Sequence, residues 1–343
     1  MHSHIIKRIV WFCVLVVLLY AFWVIATNYR NNVATLRDFP WRRIPLILAA
    51  VTMNFLIREL KWTYFCRVAG IQAPRLGHFL IYFSGLSMTI SPGRVGELIK
   101  PFMYKEYFGN KMRRTVPLVF CERVSDLLGM IIVAALTIAM YMHGAARAGH
   151  SHGTMTRLIY GFLVLSFIFT IILLYVARHR RLVYRLIRWM TRHEKLRRTG
   201  KKIQTLYFST YPLLTVKNLA FTTLLAAISW SFECVALMMI LHGTNATAVT
   251  LGESAFVFCM ATIFGGFLFF APGGLGGFEG SAKVMLTLLG LTDAQIVPAV
   301  LITRFCTLFY SVVIGFVFIL LTSLKYHKRM QWEEFEHARE TTD

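Results

Sequence analysis

Acidic residues are scarce in this chain: 16 Asp and Glu stand against 37 Lys and Arg in 343 residues, and charged residues of both signs make up only 15%. Soluble domains carry nearer about 25%, so a water-facing globular surface is the first thing excluded. Cysteine is present, but Cys13, Cys66, Cys121, Cys234, Cys259 and Cys306 fall one to each apolar segment, with no C-x-x-C pair. That scatter speaks against a disulfide framework or a zinc site and leaves the thiols as small core residues. The chain also lacks G-x-x-x-x-G-K-[ST], H-E-x-x-H and G-x-S-x-G. ATP hydrolysis, zinc proteolysis and acyl-enzyme chemistry lose their support. No cofactor and no metal are expected; His143, His150 and His152 lie together in a loop, where solvation explains them.

What the chain does have is apolar mass. Hydrophobic residues make up 57%, there are 28 Phe, and the mean hydropathy is +0.58. These describe an integral membrane protein. Its net charge of +21 is explained first by orientation, because Lys and Arg collect in cytoplasmic loops. Anionic lipid headgroups beside those loops come next; nucleic acid is not expected as a partner.

Six full spans are expected, at Ile9–Ala26, Leu46–Phe65, Val116–Met142, Thr156–Val176, Leu213–Leu241 and Ile296–Leu321. Lys7 and Arg8 place the N-terminus inside, and residues 28–44 form an outside loop with room for a surface helix. Between Arg178 and Lys202 there are eleven Lys or Arg against one acid, Glu194. Apolar Leu182, Val183, Leu186, Ile187, Met190 and Leu196 recur there at helical spacing. We read residues 178–208 as a basic amphipathic helix on the cytoplasmic leaflet, or else a plain positive-inside loop. The loop at His242–Thr250 has no Lys or Arg and reads as outside; its Asn245-Ala246-Thr247 matches a glycosylation sequon, a short pattern frequent by chance. Residues 325–343 form a cytoplasmic tail, so both termini face the cytoplasm.

Two stretches interrupt the apolar pattern: Ser91-Pro92-Gly93-Arg94-Val95-Gly96-Glu97 and Ala271-Pro272-Gly273-Gly274-Leu275-Gly276-Gly277-Phe278-Glu279. When one is laid over the other, Pro92, Gly93 and Gly96 fall on Pro272, Gly273 and Gly276, and the same shift carries Gly85 onto Gly265. One position further, Arg123 meets Arg304. Pro lacks an N–H and Gly bares the backbone, so each stretch reads as a helix broken inside the membrane. The half-length helices beside each break suit re-entrant hairpins, one entering from each side. The expected fold is therefore all-α: one polytopic membrane domain over 1–324, built as repeat one (about 1–142) and repeat two (about 156–324). With three spans per half, the second repeat lies upside down relative to the first, a recurring transporter plan.

Ionisable side chains at bilayer depth are costly and ask for a reason. Arg94, Glu97 and Lys100 follow one another at three-residue spacing; Glu122 and Asp126 share a face with Arg123 beside them. In the second half Glu279 and Lys283 form an i, i+4 pair, Glu233 lies mid-span, and Arg304 stands alone on the last span. The plain reading is mutual neutralisation: Arg94 with Glu122 or Asp126, and Arg304 with Glu279 or Glu233. The functional reading is a wet cavity at the hairpin tips, with Arg94, Arg123, Lys283 and Arg304 around it and the free N–H groups of helix N-termini aimed in. Such a set suits a phosphate, and the acids Glu97, Glu122, Asp126 and Glu279 keep the empty cavity near neutral.

The ordered motifs Pro92-Gly93-Arg94-Val95-Gly96-Glu97, Glu122-Arg123-Val124-Ser125-Asp126, Pro272-Gly273-Gly274-Leu275-Gly276 with Glu279, and Arg304 resemble the flippase-like membrane domain of the lysylphosphatidylglycerol synthase family, including its stand-alone YbhN-like members. The resemblance covers nearly the whole chain. It implies a multi-pass protein of the prokaryotic inner membrane that moves or binds polar lipids, anionic phospholipids or lipid-linked saccharides. Only a short tail follows Leu321, so the aminoacyl-transferase domain of two-part members is not expected, nor is their synthase activity. Gly274 stands where an arginine would match Arg94, which makes the anion site asymmetric. The expectation is a lipid translocase and not an enzyme. Its rivals are a membrane-embedded lipid-modifying transferase, for which Glu122, Arg123 and Asp126 would be the acid-base set, and a lipid-binding scaffold for an envelope-pathway enzyme. Membrane lipids are the expected partners, with a homodimer or a lipid-pathway enzyme as further candidates.

Overall fold

The computed structural model describes residues 29–91, 95–149, 153–178, 211–267 and 273–340, together with positions 185, 188–190, 204 and 207. The expected first span, Pro92, Gly93, Arg94 and Pro272, His150 and His152, and all but isolated positions of the basic stretch 178–208 lie outside these residues. Every element among the described residues is helical.

A short helix α1 (Tyr29–Asp38) leads through the turn Trp41–Arg43 into α2 (Ile44–Val68). Next come α3 (Arg75–Gly85) with a 3₁₀ turn at Leu86–Met88, then a 3₁₀ turn at Val95–Leu98 running into α4 (Ile99–Phe108), and the long α5 (Met112–Arg147). α6 (Thr154–Arg178) crosses to the second half, which holds α7 (Val216–Gly243), α8 (Leu251–Phe267), α9 (Gly277–Leu288) and α10 (Asp293–Arg304). A π turn at Phe305–Phe309 joins α10 to α11 (Tyr310–Glu340). Among the described residues, three helices are long and apolar enough to cross a membrane: Met112–Arg147, Val216–Gly243 and the run Asp293–Tyr326. α2 is long enough at 25 residues but carries Arg58, Glu59, Lys61 and Arg67.

Local chemistry repeats between the halves. Pro117 and Pro298 sit near the start of α5 and α10, at equal spacing before Arg123 and Arg304. Each removes a single helical hydrogen bond close to the helix end, where the cost of a proline is least disruptive. Gly109 and Gly290, related by the same shift along the chain, both take left-handed backbone at a helix end (φ 64° and 83°), the conformation a helix C-terminus favours glycine for. Matching amide ties hold the loops: Asn110 exchanges bonds with the backbone of Gln72 at 3.2 and 2.8 Å, and the Gln295 amide donates to the Asn245 carbonyl at 3.1 Å.

The packing is exchanged between halves. α5 packs on α8, α11 packs on α3 and its 3₁₀ turn, and α2 packs along α7. Small residues permit the approach, as in membrane helix pairs generally. A methyl added at Gly129 would lie 2.7 Å from the Ala227 nitrogen, and one at Gly315 would strike the Ser87 backbone. Hydroxyl pairs fasten the same seams: Thr89 with Ser311 at 2.9 Å, Ser84 with Thr322 at 3.1 Å, and Thr52 with Tyr310 at 2.9 Å. Large apolar side chains such as Leu165, Ile172, Leu136 and Leu320 are left on the outside, as lipid solvation allows. Cys66, Cys121, Cys234, Cys259 and Cys306 are free and buried.

Candidate functional site

Seven charged side chains meet between α2, α4 and α5. Arg58 and Lys61 project from one face of α2 at i, i+3; Glu97 and Lys100 do the same from the 3₁₀ turn and α4; Glu122, Arg123 and Asp126 come from α5. Glu122 touches three cations: Lys100 at 2.6 Å, Arg123 at 3.2 Å and Arg58 at 3.4 Å. Asp126 also touches three, pairing with Lys61 and lying 3.2 Å from Arg123 and 3.4 Å from Arg58. Glu97 lies 3.3 Å from Arg123 and 3.5 Å from Lys100. Charges this deep persist only when paired, since an orphaned one would cost several kcal/mol.

Aromatic faces complete the enclosure. Lys100 lies 4.1 Å over the Trp62 ring and 5.4 Å over Tyr82, while Arg58 lies 5.3 Å over Trp230. The Trp230 indole N–H donates to Asp126 at 3.2 Å. One member of the cluster reaches an opening: the Arg123 side chain is 26% exposed, against 0–5% for the other six. Four cations face three acids among these residues, a surplus of one positive charge.

The second half is sparser. Arg304 donates to Glu279 at 2.6 Å and to the Gly274 carbonyl at 3.3 Å, and its guanidinium lies 4.2 Å over the Phe278 ring. Glu279 also accepts the Gly276 N–H at 2.7 Å, capping α9. Gly273, Gly274 and Gly276 all have positive φ (60°, 70° and 81°), the region that side chains with a Cβ resist. The two sites are joined through aromatic rings, Trp230 to Phe258 at 6.3 Å and Phe258 to Phe278 at 5.7 Å. The segments beside the two breaks meet as well: a methyl on Gly273 would sit 3.0 Å from Leu308 and 3.6 Å from Ile90.

Of the residues singled out in the sequence, Glu97, Glu122, Arg123 and Asp126 come together, and Glu279 pairs with Arg304. Two expectations are corrected. Lys283 does not pair with Glu279; it reaches Asp293 at 3.0 Å on a half-exposed surface, because the turn after α9 brings Asp293 beside it while Arg304 takes the carboxylate. Nor are two of the backbone donors beside the breaks open to a ligand: Glu279 takes the Gly276 N–H and Ser91 Oγ takes the Gly96 N–H at 2.8 Å. Arg58 and Lys61, inside the expected span Leu46–Phe65, are the members that the sequence did not single out. Their three-residue spacing inside an apolar run was the available signal.

Long apolar helices exchanged between two halves, with charges paired in their interior, define a polytopic helical membrane protein. The chain belongs to the family of the lysylphosphatidylglycerol synthase TM region, whose model matches residues 10–315. Among curated relatives, a UPF0104 membrane protein of Methanothermobacter thermautotrophicus (strain Delta H) is 24% identical over 281 residues, covering 75% of this chain and 80% of that relative.

Proposed function

We propose that this chain is a lipid translocase of the inner membrane, carrying a polar, phosphate-bearing headgroup across while the acyl tails stay in lipid. The headgroup is that of an anionic phospholipid or a lipid-linked saccharide. The observation that carries the reading is Arg123: the one part-exposed side chain of an otherwise sealed cluster, its Nε and Nη2 buried without a hydrogen bond, in a set that holds one cation more than its acids. An arriving phosphate would complete the charge balance, with Arg123 exchanging a carboxylate for a phosphate oxygen. In this reading Glu97, Glu122 and Asp126 hold the cations when the site is empty, Arg304 with Glu279 receives the headgroup in the second half, and Arg94, outside the described residues, is a further candidate for the path.

The reading includes six spans and two re-entrant hairpins in one membrane domain, arranged as inverted repeats with both termini cytoplasmic. The recurring glycine, proline and arginine matches between the halves, the exchanged packing of α5 on α8 and α11 on α3, and the approach of Ile90 to Gly273 support it. A transferase would need a carboxylate free to take a proton; Glu122 and Asp126 are each held by three cations.

Headgroup translocation in proteoliposomes, over labelled anionic phospholipids and lipid-linked sugars, tests the proposal. Wild type should move one headgroup class, and Arg123→Ala should slow it by about tenfold or more, the loss of a charge-assisted hydrogen bond. Arg123→Lys should recover part of the rate. A folded Arg123→Ala protein with wild-type transport, or a folded wild type that moves no lipid including those it co-purifies with, would sink the idea.

A further inference from the structure

A second polar site lies at the far end of α5. Arg147, the last residue of that helix, stands roughly 36 Å beyond Arg123 at about 1.5 Å per residue. The two places are therefore separated by about the thickness of the hydrocarbon core. A cavity of about 410 Å³ opens there between the end of α5, the loop before α8 and the turn between α9 and α10. That size falls within the range of small-molecule sites, about 300–1,000 Å³.

The wall is built. Glu253, its side chain only 3% exposed, accepts from Arg147 at 2.6 Å and from the Thr250 N–H at 2.7 Å. A buried carboxylate therefore fixes the direction of a guanidinium that is itself 53% exposed and has N–H groups to spare. Gln295, whose Oε1 accepts from the Thr292 N–H and hydroxyl and whose amide donates to the Asn245 carbonyl, keeps one N–H to offer; the exposed Thr247 adds a hydroxyl, and Asn245 takes left-handed backbone (φ 61°). Val249, Leu289 and Leu291 supply an apolar floor. The charges in this lining cancel, Arg147 against Glu253, so neither a strong anion nor a cation is favoured.

We infer that this cavity binds a neutral polyhydroxyl group, a saccharide or polyol, with hydroxyls on Arg147, Gln295 and Thr247 and a carbon face on the leucines. The ligand is either free or the sugar of a glycolipid; the recognition chemistry is the same.

Saturation-transfer NMR on the full chain in lipid nanodiscs, with free N-acetylglucosamine and free glucose as probes, tests it. At least one sugar should show binding at millimolar concentration, weakened at least tenfold in Arg147→Gln and in Gln295→Ala, with thermal unfolding confirming that the variants fold. Nanodiscs containing monoglucosyl diacylglycerol distinguish the sources: loss of the free-sugar signal assigns the site to a membrane-borne sugar, and an unchanged signal assigns it to a soluble one. Absence of binding to wild type, equal binding in both folded variants, or displacement of the sugar by equimolar inorganic phosphate would overturn the assignment. Because binding is read without transport, the result is independent of the translocase reading.

Discussion

The two halves of this molecule answer the same problem, charge inside lipid, in different ways. The first gathers seven side chains from three elements, so that each of Glu122 and Asp126 serves three cations. In the second, the described residues show Glu279 closely paired with Arg304, supported by a backbone carbonyl and a phenyl face. Arg123 and Arg304 occupy corresponding places in the two halves, and each faces an acid just past a break, Glu97 or Glu279, although those two acids are offset by one or two positions. The first half has Arg58, Lys61, Lys100, Glu122 and Asp126 besides. A shared acid can give up one cation and keep others, whereas the second site ties α9 to α10 through Arg304 and Glu279.

Removing a shared acid should break this contrast most severely. Asp126→Ala leaves the buried Lys61 with no carboxylate and only the Glu122 carbonyl at 3.5 Å, strips Arg58 and Arg123 of one partner each, and should cost about 5 kcal/mol; the measurement is the unfolding midpoint in mild detergent. Glu279→Ala strands only Arg304, which keeps Gly274 and Phe278, and should cost about 3 kcal/mol by the same measurement. Equal losses would mean the network adds nothing to the pair.

Exchanging partners sharpens the comparison. Glu279→Arg combined with Arg304→Glu should regain part of the loss, short by about 1 kcal/mol for the vanished cap on Gly276. Exchanging Lys61 and Asp126 should regain none, since Asp126 also serves Arg58, Arg123 and Trp230. The smallest effect belongs to the surface: Lys283→Ala breaks a pair that is 34% and 50% exposed and should shift stability by less than about 0.5 kcal/mol.

Much of this was legible in the chain itself. Apolar runs placed the long helices to within a few residues, because lipid solvation leaves little other use for such segments. The intramembrane acids marked Glu97, Glu122, Asp126 and Glu279 for the same reason. The partners were harder to read. Arg58 and Lys61 stand in the second half of α2, and only the fold turns that face toward α5. Lys283 looked paired by spacing, yet spacing along a helix says nothing of Asp293 arriving across a turn. The capping of Gly276 and Gly96 depends on side-chain direction at the breaks, which composition does not carry. Arg147 and Glu253, far apart in the chain and brought together only by the packing of α5 on α8, had no local pattern at all.

Gly273, Gly274 and Gly276 also bear on heredity. Apart from silent changes, every codon one base away from a glycine codon encodes a residue with a Cβ, or a stop. At these three positions the backbone is left-handed, where a Cβ costs roughly 1–2 kcal/mol per residue. At Gly274 the added carbon would also lie 3.1 Å from the Gly265 carbonyl oxygen, whereas at Gly276 it would meet open space. Drift by single base changes therefore carries a penalty at each position, steepest where the second break turns back against α8, and this short segment is among the least free in the chain to vary.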